Sequence, residues 1–168
     1  MEIEGAQQHQ HGEQEHEPAI RILLADDHAL VREGTRRLLE TESDVEVVAE
    51  AASGEEAIDA ARSLRPDIAI IDIAMPGIGG IEATRAIKIH CPGTAVLILS
   101  AYDDEPYLMA LIDAGAAGFL LKSVHGEELI KAVRAVARGE SVLQPWLAEK
   151  AMRRLSARTD DVGRSTEK

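Results

Sequence analysis

Cysteine, aromatic residues and basic charge are all scarce in this 168-residue chain. The single cysteine, Cys91, excludes an internal disulfide and any CxxC redox or metal motif, which suits a reducing compartment; it reads as a small residue near a helix end. One Phe, one Trp and two Tyr leave the core to Ile, Leu, Val and Ala, and an apolar content of 45% is enough for one domain. Lys and Arg number 18 against 30 Asp and Glu, a formal net charge of −12 with a pI near 4.9. Such a chain offers no basic face to nucleic-acid phosphates, so contact with DNA would have to come through a basic domain outside these residues. No apolar run approaches the roughly 20 residues of a membrane helix, and no basic-then-apolar signal pattern opens the chain. The expectation is a soluble, cytoplasmic protein without a membrane partner.

What is abundant is alternation. Residues 1–18 (MEIEGAQQHQHGEQEHEP) offer little to bury and are expected to be a disordered acidic tail. His9, His11 and His16 are solvated there in the plain reading and transition-metal ligands in the sharper one. From residue 20 onward, short aliphatic runs at 20–25, 45–51, 67–72, 95–100 and 116–120 alternate with amphipathic stretches near 28–41, 53–64, 80–90, 104–114 and 125–138. The middle runs are continuously apolar, as parallel strands covered on both faces must be. This predicts an α/β domain over residues 19–139 with a five-stranded parallel sheet in the doubly wound order 2-1-3-4-5. Residues 140–168 are expected to hold a helix over 144–156, begun by Pro145, and then a polar linker.

Local chemistry supports the helix boundaries. Ser53 with Glu56 forms a capping box, Asp103 or Asp104 with Pro106 opens the fourth helix, and Gly139 closes the fifth. Gly34 within the first helix costs about 1 kcal/mol relative to Ala, which suggests close packing there. Met75-Pro76-Gly77 reads as a turn, and Gly79-Gly80 as a place where backbone comes close.

Asp26 and Asp27 follow the first strand, Asp72 ends the third, Ser100 ends the fourth and Lys122 follows the fifth. In the 2-1-3-4-5 order these strand ends share one crevice edge. Three carboxylates crowded together repel, and a hard divalent cation relieves this. Mg2+ is therefore expected, with Asp27 and Asp72 as direct ligands, Asp26 acting partly through water, and the backbone carbonyl of Ala74 adding an oxygen. With the Ser100 hydroxyl and the Lys122 ammonium the set suits a phosphoryl group. Each residue also has an ordinary reading: Asp27 as a helix cap, Ser100 as a turn residue, Lys122 as a solvated cation.

The segments LLADDHALVREG, DIAMPGIGGIEATRAIK, LILSAYDD and GAAGFLLK strongly resemble a bacterial response regulator receiver domain of the CheY-like fold. The resemblance covers roughly residues 20–139 and is nearest to the NarL/FixJ (LuxR-type) group, given MPGIGGIEATR. It implies Asp72 as phosphoacceptor, Asp26 and Asp27 as the acidic pair that holds Mg2+, Ser100 as switch hydroxyl, Lys122 as phosphate contact and Phe119 as switch aromatic. It further implies a sensor histidine kinase as phosphodonor, a phosphorylation-dependent homodimer, and control of transcription through a DNA-binding output domain. Such a protein is a signalling receiver, catalysing only its own phosphorylation and dephosphorylation. Two positions depart from the pattern. Phe119 lacks the hydroxyl of a tyrosine, and Ser123 stands where many receivers have proline; a cis bond there would cost roughly 3 kcal/mol. Ala74 and Tyr102 flank the site and are expected to tune access of the hydrolytic water.

Only about 29 residues follow Gly139, too few for an output domain. A stand-alone receiver signalling through protein contacts is the alternative. Cobalamin binding fits less well: an Asp-x-His-x-x-Gly motif begins at Asp26 but meets Val31 where glycine is needed. A flavin or dinucleotide site lacks its Gly-rich loop, and a DxDxT phosphatase is excluded by Ile73-Ala74.

Overall fold

In a computed structural model, which describes residues 17–101, 105–124 and 126–164, the chain runs β1 (Ile20–Ala25), α1 (Ala29–Glu40), β2 (Val45–Ala51), α2 (Gly54–Leu64), β3 (Ile68–Asp72), α3 (Gly80–His90), β4 (Ala95–Ser100), α4 (Glu105–Asp113), β5 (Gly118–Leu121), α5 (Gly126–Ala137) and α6 (Pro145–Arg164). The strands form one parallel sheet in the order β2-β1-β3-β4-β5, as expected. The apolar runs carry two cores because alternate residues of a strand face opposite ways. Leu23, Ala69, Ile71, Val96, Ile98 and Phe119 point to one side, where Ala57, Ala61, Ile87 and Leu111 of α2, α3 and α4 cover them. Ile22, Leu24, Ile68, Ile70, Leu97 and Leu99 point to the other, against Leu39 of α1 and Leu129, Val133 and Val136 of α5.

Several boundaries follow from local chemistry. Ser53 Oγ accepts the Glu56 N–H at 3.2 Å, the first half of the cap read from the sequence, while the Glu56 carboxylate reaches one residue beyond the N-cap and accepts the Ala52 N–H at 2.8 Å. Gly139 closes α5 at φ +83°, Gly77 turns the chain after β3 at φ +76°, and Cys91 is the buried residue that ends α3. Among the described residues no peptide bond is cis, so the Lys122–Ser123 link is trans.

Other details differ from expectation. β5 starts at Gly118 rather than 116, because the Ala116 N–H is spent closing α4 on the Leu111 carbonyl at 3.1 Å, after a turn at Gly115 with φ +105°. Gly34 is not closely packed: a Cβ there would meet nothing within 4 Å. The same holds for Gly79, whereas a Cβ on Gly80 would come within 3.0 Å of Ile73 Cα, so only the second glycine is a close approach. α6 does not stop at 156 but runs helical to Arg164. Beyond 156, in the expected linker, the Thr159 hydroxyl donates one turn back to the Leu155 carbonyl at 3.0 Å and Arg158 stands 3.6 Å from Asp113 at the end of α4. Residues 1–16 of the tail expected over 1–18, with His9, His11 and His16, lie outside the described residues, as do Tyr102, Asp103 and Asp104. Among the described residues no helix is long and apolar enough to cross a membrane.

Candidate functional site

β1 and β3 are direct neighbours, with Ala25 beside Ile71, so the residues leaving β1 come alongside the last residue of β3. Asp72 in turn pairs with Leu99 of β4, and Ser100 pairs with Leu121 of β5. Sheet register thus brings Asp26, Asp27, Asp72, Ser100 and Lys122 to one carboxyl edge.

Asp26 is almost closed off, its side chain 6% exposed. Its N–H donates to the Ala51 carbonyl at 3.0 Å, and its carbonyl accepts Arg32 Nη1 at 2.6 Å, which fixes the backbone of the acidic pair to both β2 and α1. One oxygen, Oδ1, accepts the His28 N–H at 2.9 Å; the other accepts Lys122 Nζ at 3.1 Å. Lys122 Nζ also stands 2.9 Å from Asp72 Oδ2. That second approach is an ion-pair contact off hydrogen-bond alignment, so Asp72 Oδ2 is buried without a hydrogen bond, while Asp72 Oδ1 accepts the Ala74 N–H at 3.3 Å. Asp27 Oδ1 is likewise buried and without a hydrogen bond, although His28 Nδ1 lies 3.1 Å away. Asp27 does not cap α1: the N-cap position is His28, whose own side chain makes no cap bond.

Lys122 is held in place by its backbone N–H, which donates to the Ser100 carbonyl at 2.7 Å. Desolvation lowers its pKa, but the contacts with Asp72 and Asp26 outweigh this and leave the ammonium above its ordinary value of 10.5. Ser100 is 1% exposed, at the end of β4. Ala74 lies exposed on the rim just past Asp72. Phe119 is not at the rim: it is 6% exposed in the apolar cluster that includes Leu108, Met109 and Leu111 of α4.

Charge decides what this edge can hold. Three carboxylates face one ammonium, and one donor atom each from Asp26, Asp27, His28 and Asp72 fall within 4.8 Å of one another. Two buried carboxylate oxygens without hydrogen bonds carry lone pairs that a hard cation satisfies, so the donor set fits a divalent ion. Sequence reasoning passed over three neighbours: His28, which entered only as the histidine of the incomplete Asp-x-His-x-x-Gly match; Arg32, which clamps the Asp26 carbonyl; and Glu55, whose carboxylate accepts the Ile78 N–H at 3.0 Å and steadies the loop after Asp72. Position in the sequence signals only the first two, since His28 and Arg32 lie two and six residues after Asp26; Glu55 meets Ile78 across 23 residues.

The family described as response regulator receiver domain matches residues 22–134. The chain is 42% identical over 133 residues to the transcriptional regulatory protein DegU of Brevibacillus brevis, covering 79% of this chain and 56% of that protein. It is 40% identical over 130 residues to the response regulator GacA of Pseudomonas viridiflava, covering 77% of this chain and 61% of the relative. The chain thus spans less than two thirds of the length of these curated relatives. Among solved structures, the signal receiver domain of the response regulator NarL from Mycobacterium tuberculosis superposes with a TM-score of 0.72 at 37% identity, over 74% of this chain and 100% of that one. A LuxR-family two-component response regulator from Aurantimonas sp. SI85-9A1 gives a TM-score of 0.74 at 38% identity, over 82% and 99%. Sheet order, the acidic edge and these matches agree: the chain belongs to the response regulator receiver family, as the receiver domain of a two-component response regulator of the NarL/LuxR type.

Proposed function

We propose that residues 19–139 take a phosphoryl group from a sensor histidine kinase onto Asp72 and thereby switch conformation to control transcription. The observation that carries this reading is the convergence of the buried Asp26 and Asp72 carboxylates on Lys122 Nζ, at 3.1 and 2.9 Å, with Asp72 Oδ2 lacking a hydrogen bond. An Asp72 oxygen attacks the phosphorus of the kinase phosphohistidine; an O–P bond forms, the N–P bond breaks, and the imidazole leaves and takes up a proton. Lys122 stays protonated at neutral pH and follows the charge that spreads over the phosphoryl oxygens, with the Ser100 hydroxyl as a second donor. Mg2+, held by Asp26, Asp27, Asp72 and the Ala74 carbonyl, would supply charge neutralisation between the carboxylates and the incoming phosphate. Water attacking the same phosphorus resets the receiver.

Closing of Ser100 on the phosphate shifts an existing population of two conformers, and the change reaches α4 through the chain after Ser100 and through Phe119. Phe119 has no hydroxyl and shares its cluster with α4, so its signal passes by packing alone. A DNA-binding output is supported by relatives named as transcriptional regulators and by an RcsB structure, 28% identical over 80% of this chain, of two RcsB dimers bound to two parallel DNAs.

The deciding experiment is intact mass after incubation with Mg2+ and a small phosphodonor, comparing wild type with Asp72→Ala. The expected outcome is a Mg2+-dependent gain of one phosphoryl group, absent from the variant. No gain with several donors in a folded sample would overturn the reading.

A further inference from the structure

We propose that Arg32 is a positioning residue for phosphoryl transfer at Asp72: its guanidinium ties the peptide between Asp26 and Asp27 to the end of β2 and so sets where the Asp27 carboxylate stands. The inference rests on reading the acidic edge as a Mg2+-assisted phosphoryl site, and it names a residue outside the ligand set on which the geometry of that set depends.

The chain leaves β1 at Ala25 and enters α1 at Ala29, so the acidic pair stands on a short connection. Its hydrogen bonds come from two directions. The Asp26 N–H donates to the Ala51 carbonyl at 3.0 Å and Asp26 Oδ1 accepts the His28 N–H at 2.9 Å, while Arg32 donates twice, from its backbone N–H to the His28 carbonyl at 2.9 Å and from Nη1 to the Asp26 carbonyl at 2.6 Å. A peptide is planar, so fixing the Asp26 carbonyl also fixes the Asp27 nitrogen and Cα beyond it. The same guanidinium donates from Nε to Glu50 Oε1 at 3.2 Å, and Glu50 precedes Ala51 in β2. Asp26, Arg32, Glu50 and Ala51 thereby close a ring in which the end of β2 holds the pair through both its N–H and its carbonyl. The Arg32 side chain is only 21% exposed, and the second oxygen of Glu50 is taken by Arg36 Nη1 at 2.7 Å, which holds the ring in place.

Asp27 is the carboxylate that depends on this tie. Asp26 and Asp72 each contact Lys122 Nζ, at 3.1 and 2.9 Å, whereas Asp27 Oδ1 makes no hydrogen bond among the described residues, so the backbone does most to place it. Without Arg32 the Asp26 carbonyl is free to turn to water, and the Asp27 carboxylate moves with it. Groups that orient a metal ligand without touching the metal are typically worth about 10–100-fold in affinity.

The test is Mg2+ calorimetry on the full chain, with the rate of phosphorylation by acetyl phosphate across Mg2+ concentrations and urea unfolding without Mg2+, for wild type, Arg32→Met, Arg32→Lys, Glu50→Ala and the double variant Arg32→Met/Glu50→Ala. In Arg32→Met the Mg2+ affinity is expected to fall about tenfold and the half-saturating Mg2+ of phosphorylation to rise by the same factor, with the rate at saturation within about threefold of wild type. Arg32→Lys keeps the charge but not the planar fork that spans two acceptors, so its affinity stays down at least about fivefold. Glu50→Ala loses less, and the double variant binds no more weakly than Arg32→Met, because Glu50 acts through the arginine. An arginine that only holds the fold lowers the metal-free urea midpoint and leaves the Mg2+ affinity of the folded chain within about twofold. That pattern, full recovery in Arg32→Lys, or losses that multiply in the double variant would each overturn the proposal. A wild-type chain that binds no Mg2+ removes the reading of the acidic edge and this proposal with it, whereas wild-type binding left unmoved by Arg32→Met removes this proposal alone.

Discussion

Asp27 has the weakest set of partners of the three carboxylates. The Asp26 carboxylate is tied by the His28 N–H and by Lys122, and Asp72 by the Ala74 N–H and Lys122, whereas Asp27 Oδ1 makes no hydrogen bond among the described residues and has the His28 imidazole 3.1 Å away. Without a cation its charge is mostly repulsion, so Asp27→Asn is expected to stabilise the metal-free domain by of order 1 kcal/mol. With metal the sign reverses. Mg2+ at a hundredfold excess over its dissociation constant should add about 2.7 kcal/mol to wild type, and clearly less to the variant. Urea unfolding with and without Mg2+ measures both; a lower metal-free midpoint for Asp27→Asn would contradict the account. The residue scale is also where inference from sequence alone was thinnest. The acidic residues and Lys122 were legible because they stand at ends of apolar runs, but nothing in the sequence shows His28 folding back onto its neighbours.

At the scale of elements, the loop after Asp72 is set by α2. A Cβ on Gly54, the first residue of α2, would stand 2.1 Å from the Ile78 carbonyl oxygen, and the next residue, Glu55, binds the Ile78 N–H. The obstacle is backbone on both sides, so Gly54→Ala is expected to cost about 1–3 kcal/mol and to displace the loop that carries Ala74. Denaturant unfolding gives the first quantity and Mg2+ affinity reports the second. A second tie joins α5 to the turn between α1 and β2. Arg134 donates to both oxygens of Asp44 at 2.9 and 3.0 Å and to Glu42 at 2.8 Å. The guanidinium holds the Asp44 carboxyl below its ordinary value of 3.8. A depressed folded pKa means that the contribution is complete above 3.8 and fades as the pH falls through the folded value. Arg134→Gln should therefore be less stable than wild type at pH 7, with the gap closing in acid below 3.8. A gap unchanged at low pH would show that the arginine acts through packing.

For the whole molecule, the remaining question is how a change at the carboxyl edge leaves the domain. α6 lies on α4: Leu147 is 1% exposed within the core cluster, Lys150 pairs with Glu105, and Arg154 and Arg158 reach Asp113. Both ends of α4 are therefore tied to α6, and α4 follows Ser100 in the chain. A net charge of −12 opposes self-association, so a dimer needs a face where opposite charges meet. Sedimentation with and without a beryllofluoride mimic is expected to show a shift to dimer that weakens on dilution. Unchanged mass would leave the receiver acting as a monomer.

Local order was written in the sequence. The five apolar runs, the cap at Ser53, the turn at Gly77 and the stop at Gly139 follow from residues within a few positions of one another; alternating strands and helices indicate a parallel sheet, whose 2-1-3-4-5 order is one of the doubly wound arrangements open to that alternation. Only the tertiary structure decided what depends on neighbours distant in the chain. Lys122 reaches Asp26 across 96 residues, Asp113 extends α6 past the point where its apolar pattern fades, Ala116 is diverted from β5 to close α4, and Gly34 faces open space. The physical reason is the same throughout: backbone preference is a property of nearby residues, whereas the partner of a charged side chain is set by sheet register and helix packing, which no short window of sequence contains.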